Sequence, residues 1–161
     1  MYKRQTQDYP HRLGWEEESL SPDRQARLLV QPDTNQILQI FKKDLASGQV
    51  NGLTAFEKGS SFDPAWSPRG DTIAFVSTES GNDELYVMDV DGTNPQRLTF
   101  NSWEWDKHPT WSPDGNQIIF YSNRETGRRQ LWVMNADGTG QRRLLDSPYG
   151  DWDPVWIKPV G

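Results

Sequence analysis

The chain has no cysteine among its 161 residues, which removes disulfides, thiolate metal sites and cysteine nucleophiles together and leaves either redox environment open to it. Histidine is almost as scarce. Of the two present, His11 sits in a polar N-terminal stretch and only His108 stands in a patterned segment. There is no Gly-x-Ser-x-Gly elbow, no glycine-rich phosphate loop and no metal motif of recognised spacing. No run of about 18 apolar residues exists, so nothing reads as a membrane-spanning helix. Residues 1–8 are too polar to hold the apolar segment of a secretory signal. As written the chain is expected in the cytoplasm, and in the periplasm if a signal peptide has been removed. Positive charge is in deficit: 17 Lys and Arg against 23 Asp and Glu leave a net charge of −6, so a phosphate backbone is repelled and nucleic acid is not an expected partner. The densest basic pairs, Arg128-Arg129 and Arg142-Arg143, fall in or beside expected turns and read as solvated charge. Also missing is any segment that keeps a 3.6-residue apolar period over three turns.

What is present is repetition. The stretch Asp63-Pro64-Ala65-Trp66-Ser67-Pro68-Arg69-Gly70 returns as His108-Pro109-Thr110-Trp111-Ser112-Pro113-Asp114-Gly115, and its first half again as Asp153-Pro154-Val155-Trp156. The three tryptophans are 45 residues apart, 66 to 111 and 111 to 156. An earlier, degenerate copy starts at Ser21-Pro22-Asp23, with Leu28-Leu29-Val30 matched to Ile73-Ala74-Phe75 and Ile40-Phe41 matched to Leu85-Tyr86. In Ser-Pro-x-Gly, proline presets φ and glycine supplies a positive φ, so the preceding strand must stop at the tryptophan. Asp91-Gly92 and Asp137-Gly138 give hairpin signals before a last strand. Four strands per repeat follow: near 62–66, 72–78, 84–90 and 96–99, then near 107–111, 117–122, 130–135 and 142–145. Eight Trp, 13 Gly and 11 Pro suit short strands joined by tight turns. The period and composition predict an all-β fold of β-propeller repeats, one four-stranded blade each.

Trp-Ser-Pro-Asp-Gly, an Ile-x-Phe-x-Ser strand, a Leu-Tyr/Trp-Val-Met strand, Asp-Gly-Thr and Arg-Leu-Thr together resemble the TolB-like, WD-like propeller repeat over about residues 20–157. The domain reading is an arm or cover over 1–19, then 20–161 with repeats at about 20–55, 62–100 and 107–146 and a C-terminal inner strand at 152–157. Three blades cannot close a ring. The resemblance implies a six-bladed propeller, so the expectation is a homodimer in which strand 152–157 of one chain completes the first blade of the other. A fragment of a longer protein is the alternative.

Two sets of residues are candidates for function. Asp63, His108 and Asp153 precede Pro-x-Trp and are expected at the mouth of the channel, where they could hold a divalent cation; the simpler reading is that they cap the turn into the proline, with no cofactor. Trp103 and Trp105, echoed by Tyr149 and Trp152, sit in loops that join an outer strand to the next inner one. Aromatic rings on the channel face could bind a peptide or stack on a sugar, whereas Trp66, Trp111 and Trp156 read as packing between blades. The function expected is a non-enzymatic scaffold for a protein or peptide partner, with a saccharide as the other ligand class; the alternative is a carbohydrate-active or metal-dependent hydrolytic enzyme.

Overall fold

The computed structural model describes residues 20–145. Three antiparallel sheets follow one another along the chain. The first holds β1 (Ala26–Pro32), β2 (Leu38–Asp44) and β3 (Val50–Gly52); the second holds β4 (Ser61–Trp66), β5 (Thr72–Ser77), β6 (Glu84–Asp89) and β7 (Gln96–Arg97); the third holds β8 (Asp106–Trp111), β9 (Gln117–Ser122), β10 (Gln130–Asn135) and β11 (Arg142–Arg143). Within each, strands lie side by side in chain order. Among the described residues there is no helix, hence none long and apolar enough to cross a membrane.

The repeated turns act as their residues dictate. Ser67 N donates to Thr72 O at 2.8 Å and Gly70 N to Ser67 O at 2.9 Å; Ser112 and Gly115 repeat both bonds to Gln117 and Ser112 at 2.8 Å. β4 and β8 accordingly end at Trp66 and Trp111. Gly92, with φ of 88°, is required for a second reason: a Cβ there would stand 2.5 Å from the Leu53 carbonyl oxygen. The second blade's hairpin thus rests directly on the first blade.

The core lies between the sheets. Leu28, Ile40 and Leu53 of blade 1 meet Ile73, Phe75, Tyr86 and Met88 of blade 2, with Phe56, Trp66 and Val90 packed against them. Ala74, Val76, Leu85 and Leu98 on the other side of blade 2 meet Ile118, Phe120, Trp132 and Met134 of blade 3, with Phe62, Val87 and Trp111 alongside. Trp111 Nε1 donates to Ala65 O of the neighbouring blade at 3.1 Å. Ile119, Tyr121, Leu131 and Val133 form a third cluster on the far side of blade 3, with Trp105 and Leu144 against it. Each fully buried large side chain contributes about 1.5–3 kcal/mol, which is why strands with apolar residues on both parities stack as blades.

Two details differ from the sequence expectation. Leu29 pairs with Phe41 and Phe75 with Tyr86, so Leu28-Leu29-Val30 corresponds to Ala74-Phe75-Val76, one residue later than expected. The hairpin between β1 and β2 takes up the difference, with Gln36 at φ 64°. The outermost strands are also shorter. Thr99 Oγ1 accepts the Leu85 amide at 2.9 Å and Thr54 Oγ1 the Ile40 amide at 2.9 Å, so a side-chain hydroxyl takes the place of the next ladder carbonyl and ends the pairing.

Candidate functional site

β4 and β8 each carry a bulge, between Phe62 and Ala65 and between Lys107 and Thr110. The residues inside are Asp63 and His108, with φ of 49° and 53°. Each precedes a proline, whose ring restricts the backbone before it, and a positive φ on a side chain with a Cβ costs about 1–3 kcal/mol. The bulge re-aims both side chains. His108 Nδ1 lies 3.1 Å from Asp63 Oδ2, with side chains 38% and 22% exposed, and the His108 ring meets Tyr121 edge-on at 5.9 Å. Burial pushes the Asp63 carboxyl up from its ordinary value and Asp83 adds to this, while His108 and Lys107 pull it down. Lys107 Nζ bonds Asp83 Oδ2 at 2.9 Å and lies 5.6 Å from the Trp105 ring and 6.0 Å from Phe62. A carboxylate at Nδ1 orients an imidazole. Among the described residues no group of three His, Cys, Asp or Glu that could hold a metal occurs, and Asp153, the third of the residues expected at the channel mouth, lies outside them.

The loop from Phe100 to Trp105 joins β7 to β8 and is held at both ends by buried acids. Glu84 is fully buried. It accepts from Arg97 Nη2 at 2.9 Å, Asn82 Nδ2 at 3.2 Å, Asn101 Nδ2 at 3.1 Å, the Asn101 amide and the Thr99 hydroxyl. Asp106, also fully buried, accepts from Asn101 Nδ2 at 2.9 Å and from Arg124 Nη2; burial pushes its carboxyl up against the pull of Arg124 and of hydrogen bonds from Ser122, Asn101 and Thr99. Between these anchors Glu104 turns back on its own loop and accepts the Ser102 and Trp103 amides at 3.3 Å each. Backbone hydrogen bonds hold its carboxyl below the ordinary value. Two rings are left pointing outward: Phe100 is 73% exposed and Trp103 68%, with the Arg97 guanidinium 4.8 Å from the Phe100 ring.

Asp63 and His108 are therefore brought together, and Trp103 stands in the open. Trp105 is half-buried: its amide donates to Asn123 Oδ1 at 2.8 Å and its ring packs on the third cluster. Trp66 and Trp111 pack at blade interfaces. Tyr149, Trp152, Asp153 and Trp156 lie outside the described residues. Sequence reasoning passed over Phe100, the Lys107–Asp83 pair and the acids Glu84 and Asp106. One signal for Glu84 was visible: the positions matching it in the other blades are Gln39 and Gln130, opposite Gln31 and Ser122 as Glu84 is opposite Ser77.

Known proteins share this fold. The family model for the TolB beta propeller domain matches residues 18–157. A protein TolB homolog of Chlorobium chlorochromatii is 41% identical over 82 residues, 51% of this chain and 18% of its own. Solved structures of a putative TolB from Agrobacterium tumefaciens and of TolB from Acinetobacter baumannii superpose with TM-scores of 0.69 each, at 27% and 26% identity, over 78% and 81% of this chain and 47% and 32% of theirs. An oligogalacturonate lyase in complex with manganese, at 16% identity and TM-score 0.63 over 80% of this chain and 40% of its own, shares the fold alone. The chain spans less than half the length of each of these relatives. With the family model matching most of the sequence, residues 18–157, the chain belongs to the TolB β-propeller family.

Proposed function

We propose that the chain is a propeller scaffold that binds a protein or peptide through the loop Phe100–Trp105 and the adjoining Asp63–His108 pair. The observation that carries this reading is the exposure of Phe100 and Trp103, at 73% and 68%, on a loop fixed by Glu84 and Asp106. Large rings held in place lose little freedom on binding and dominate recognition surfaces. The Asp63–His108 and Lys107–Asp83 pairs beside them offer both signs of charge for orienting a partner. A complete ring needs more blades; in this reading a second copy supplies them, three and three making six, and light scattering should give twice the single-chain mass. The periplasm, which the family resemblance implies, is the compartment in which to look for the partner.

The test compares the full chain with Phe100→Ala/Trp103→Ala as baits in a bacterial envelope extract. A protein retained at least about tenfold better by the unsubstituted chain is the expected result, since two hot-spot rings are worth more than about 1.4 kcal/mol together. Equal retention would remove the loop from the reading. Turnover of oligogalacturonate or of peptides, lost in His108→Ala, would replace the scaffold by an enzyme.

A further inference from the structure

The loop Phe100–Trp105 leads into the start of β8, and β4 and β8 end at Trp66 and Trp111, so the Ser-Pro turns stand at the far ends of these strands. There the two gaps between blades differ. Between blades 2 and 3, Arg69 Nη2 reaches from one turn to the next and donates to Asp114 O at 3.0 Å and to Asn116 Oδ1. Asp23 holds the matching place in blade 1, Ser21-Pro22-Asp23 against Ser67-Pro68-Arg69. It is too short to cross and folds back on its own turn, where its Oδ1 accepts the Ser21 hydroxyl at 2.6 Å and the Gln25 amide at 3.0 Å. A cleft of about 500 Å³ remains between blades 1 and 2.

The lining of this cleft combines one aromatic ring, four charges and several amides. Trp66 is the ring, half-buried and packed against the core between the two blades. Asp23 and Asp44 are set against Lys42 and Arg69, so the lining carries no net charge. Hydrogen bonds hold both carboxyls below their ordinary value, chiefly from the Ser21 hydroxyl to Asp23 and from the Ser47 amide to Asp44, and both are ionised at neutral pH. Asp44 Oδ1 accepts the Ser47 amide and hydroxyl at 2.7 Å each, which leaves Oδ2 of each carboxylate open to a further donor. Lys42 Nζ donates to Val90 O at 2.7 Å and has two more N–H groups to offer. Gln25, Gln49 and Asn51 bring side-chain amides.

Balanced charge favours neither an anion nor a cation. Spare donors and acceptors around a single indole suit an uncharged molecule with hydroxyls at its rim and an apolar face, since the ring binds the face and the polar groups fix the rim. That is the chemistry of a pyranose, and the volume lies within the range of about 300–1,000 Å³ usual for small-molecule sites. The geometry points to a binding site for a short neutral saccharide in the cleft between blades 1 and 2, with Trp66 under one sugar ring and Asp23, Asp44, Gln25 and Asn51 on its hydroxyls. The site is at the opposite ends of the strands from the Phe100–Trp105 loop, and the inference is independent of what that loop binds.

The test is calorimetric titration of the full chain with cellobiose, maltose, lactose and N,N′-diacetylchitobiose, and with glucosamine and glucuronate as charged probes. At least one neutral disaccharide should bind with a Kd of about 1 mM or tighter, and more tightly than either charged sugar. Asp23→Arg copies Arg69 and meets the Arg69 carbonyl and Asp71 where Arg69 meets Asp114 and Asn116; it should close the cleft and abolish binding. Gln25→Ala/Asn51→Ala removes two exposed side chains and should weaken binding about tenfold, and this pair decides if circular dichroism shows that Asp23→Arg has lost its strand signal. Phe100→Ala/Trp103→Ala should bind the sugar as the unsubstituted chain does. No binding of any neutral disaccharide, preference for a charged sugar, binding unaltered by the cleft substitutions, or binding lost with Phe100 and Trp103 would overturn the inference.

Discussion

Replacing Glu84 by glutamine keeps the shape of the side chain and removes its charge, and blade 1 shows what the neutral version looks like. There Gln39 Nε2 donates to Phe56 O at 2.8 Å while its Oε1 accepts from Thr54 Oγ1 at 2.7 Å. Glu84 has no such carbonyl to serve; its groups within reach are donors, from Arg97, Thr99, Asn101 and Asn82. An amide NH₂ in Glu84→Gln must therefore face at least one of them. Hydrogen bonds to a charged group contribute about 1.5–3 kcal/mol each, but Arg97 is 24% exposed and recovers some hydration, and a neutral side chain avoids the desolvation of a buried carboxylate. The net expectation is a loss of about 1–3 kcal/mol in urea unfolding, with the emission of Trp103 and Trp105 shifting as their loop loosens. The reverse change, Gln39→Glu, should cost more, about 3–5 kcal/mol: the position matching Arg97 is Gly52, opposite Phe41 as Arg97 is opposite Tyr86, so the cation that faces Glu84 has no counterpart at that position. Glu84→Gln within about 0.5 kcal/mol of the unsubstituted chain, or Gln39→Glu tolerated equally well, would refute the reasoning.

Phe75→Ala should lower stability by about 3–5 kcal/mol, because Phe75 is fully buried and its ring lies 5.6 Å from Tyr86 and 6.4 Å from Phe56; calorimetry showing a loss under about 1 kcal/mol would mean that blade 1 is not packed on blade 2. Trp103→Ala should leave the midpoint of unfolding within about 0.5 kcal/mol, and a larger fall would assign that ring to packing. Asp63 has a native pKa raised above its ordinary 3.8, so its carboxyl is penalised in the fold progressively as pH rises from about that value through the native pKa. Relative to Asp63→Asn, the unsubstituted chain should therefore lose stability with rising pH across that window, and a difference running the other way in pH-dependent unfolding would contradict the raised value.

What the sequence made legible is what its local chemistry decides. Each of the eight strands expected in the second and third repeats occurs, since Ser-Pro-x-Gly and Asp-Gly stop a strand wherever they stand, and the interval of 45 residues reports blade stacking without any structure. The rim was half legible. Asp63 and His108 were picked out by their place before proline, but that they touch depends on two bulges and the angle between blades, neither of which has a residue signature. Trp103 and Trp105, read together as loop aromatics, have different fates: the first ring is exposed and the second packs on the cluster of Ile119, Tyr121, Leu131 and Val133, while Glu104 between them turns onto its own amides. Alternation along an extended segment implies opposite sides, yet which side is covered is set by the neighbouring strand. Phe100 was missed for the same reason, as an apolar residue after a strand normally reads as core.

The strained pair at the rim separates side-chain chemistry from backbone demand. At His108, φ of 53° is favourable only for glycine, and the imidazole gives back a half-exposed polar contact of Nδ1 with the Asp63 carboxyl, worth up to about 1 kcal/mol, and an edge contact with Tyr121 of about 0.5–1.5 kcal/mol. His108→Gly loses the same two contacts as His108→Ala, but relieves about 1–2 kcal/mol of left-handed strain against about 0.5–1 kcal/mol of added chain entropy in the unfolded state, a net gain over alanine of about 0.5–1 kcal/mol. His108→Ala loses both contacts and keeps the strain. Glycine should therefore be more stable than alanine at this position by about 0.5–1 kcal/mol, the reverse of their order in an ordinary strand, and urea unfolding of the two variants measures the sign directly. Alanine the more stable of the two would mean that the bulge relaxes once the imidazole is gone, and that the positive φ is a consequence of the His108–Asp63 contact rather than its scaffold.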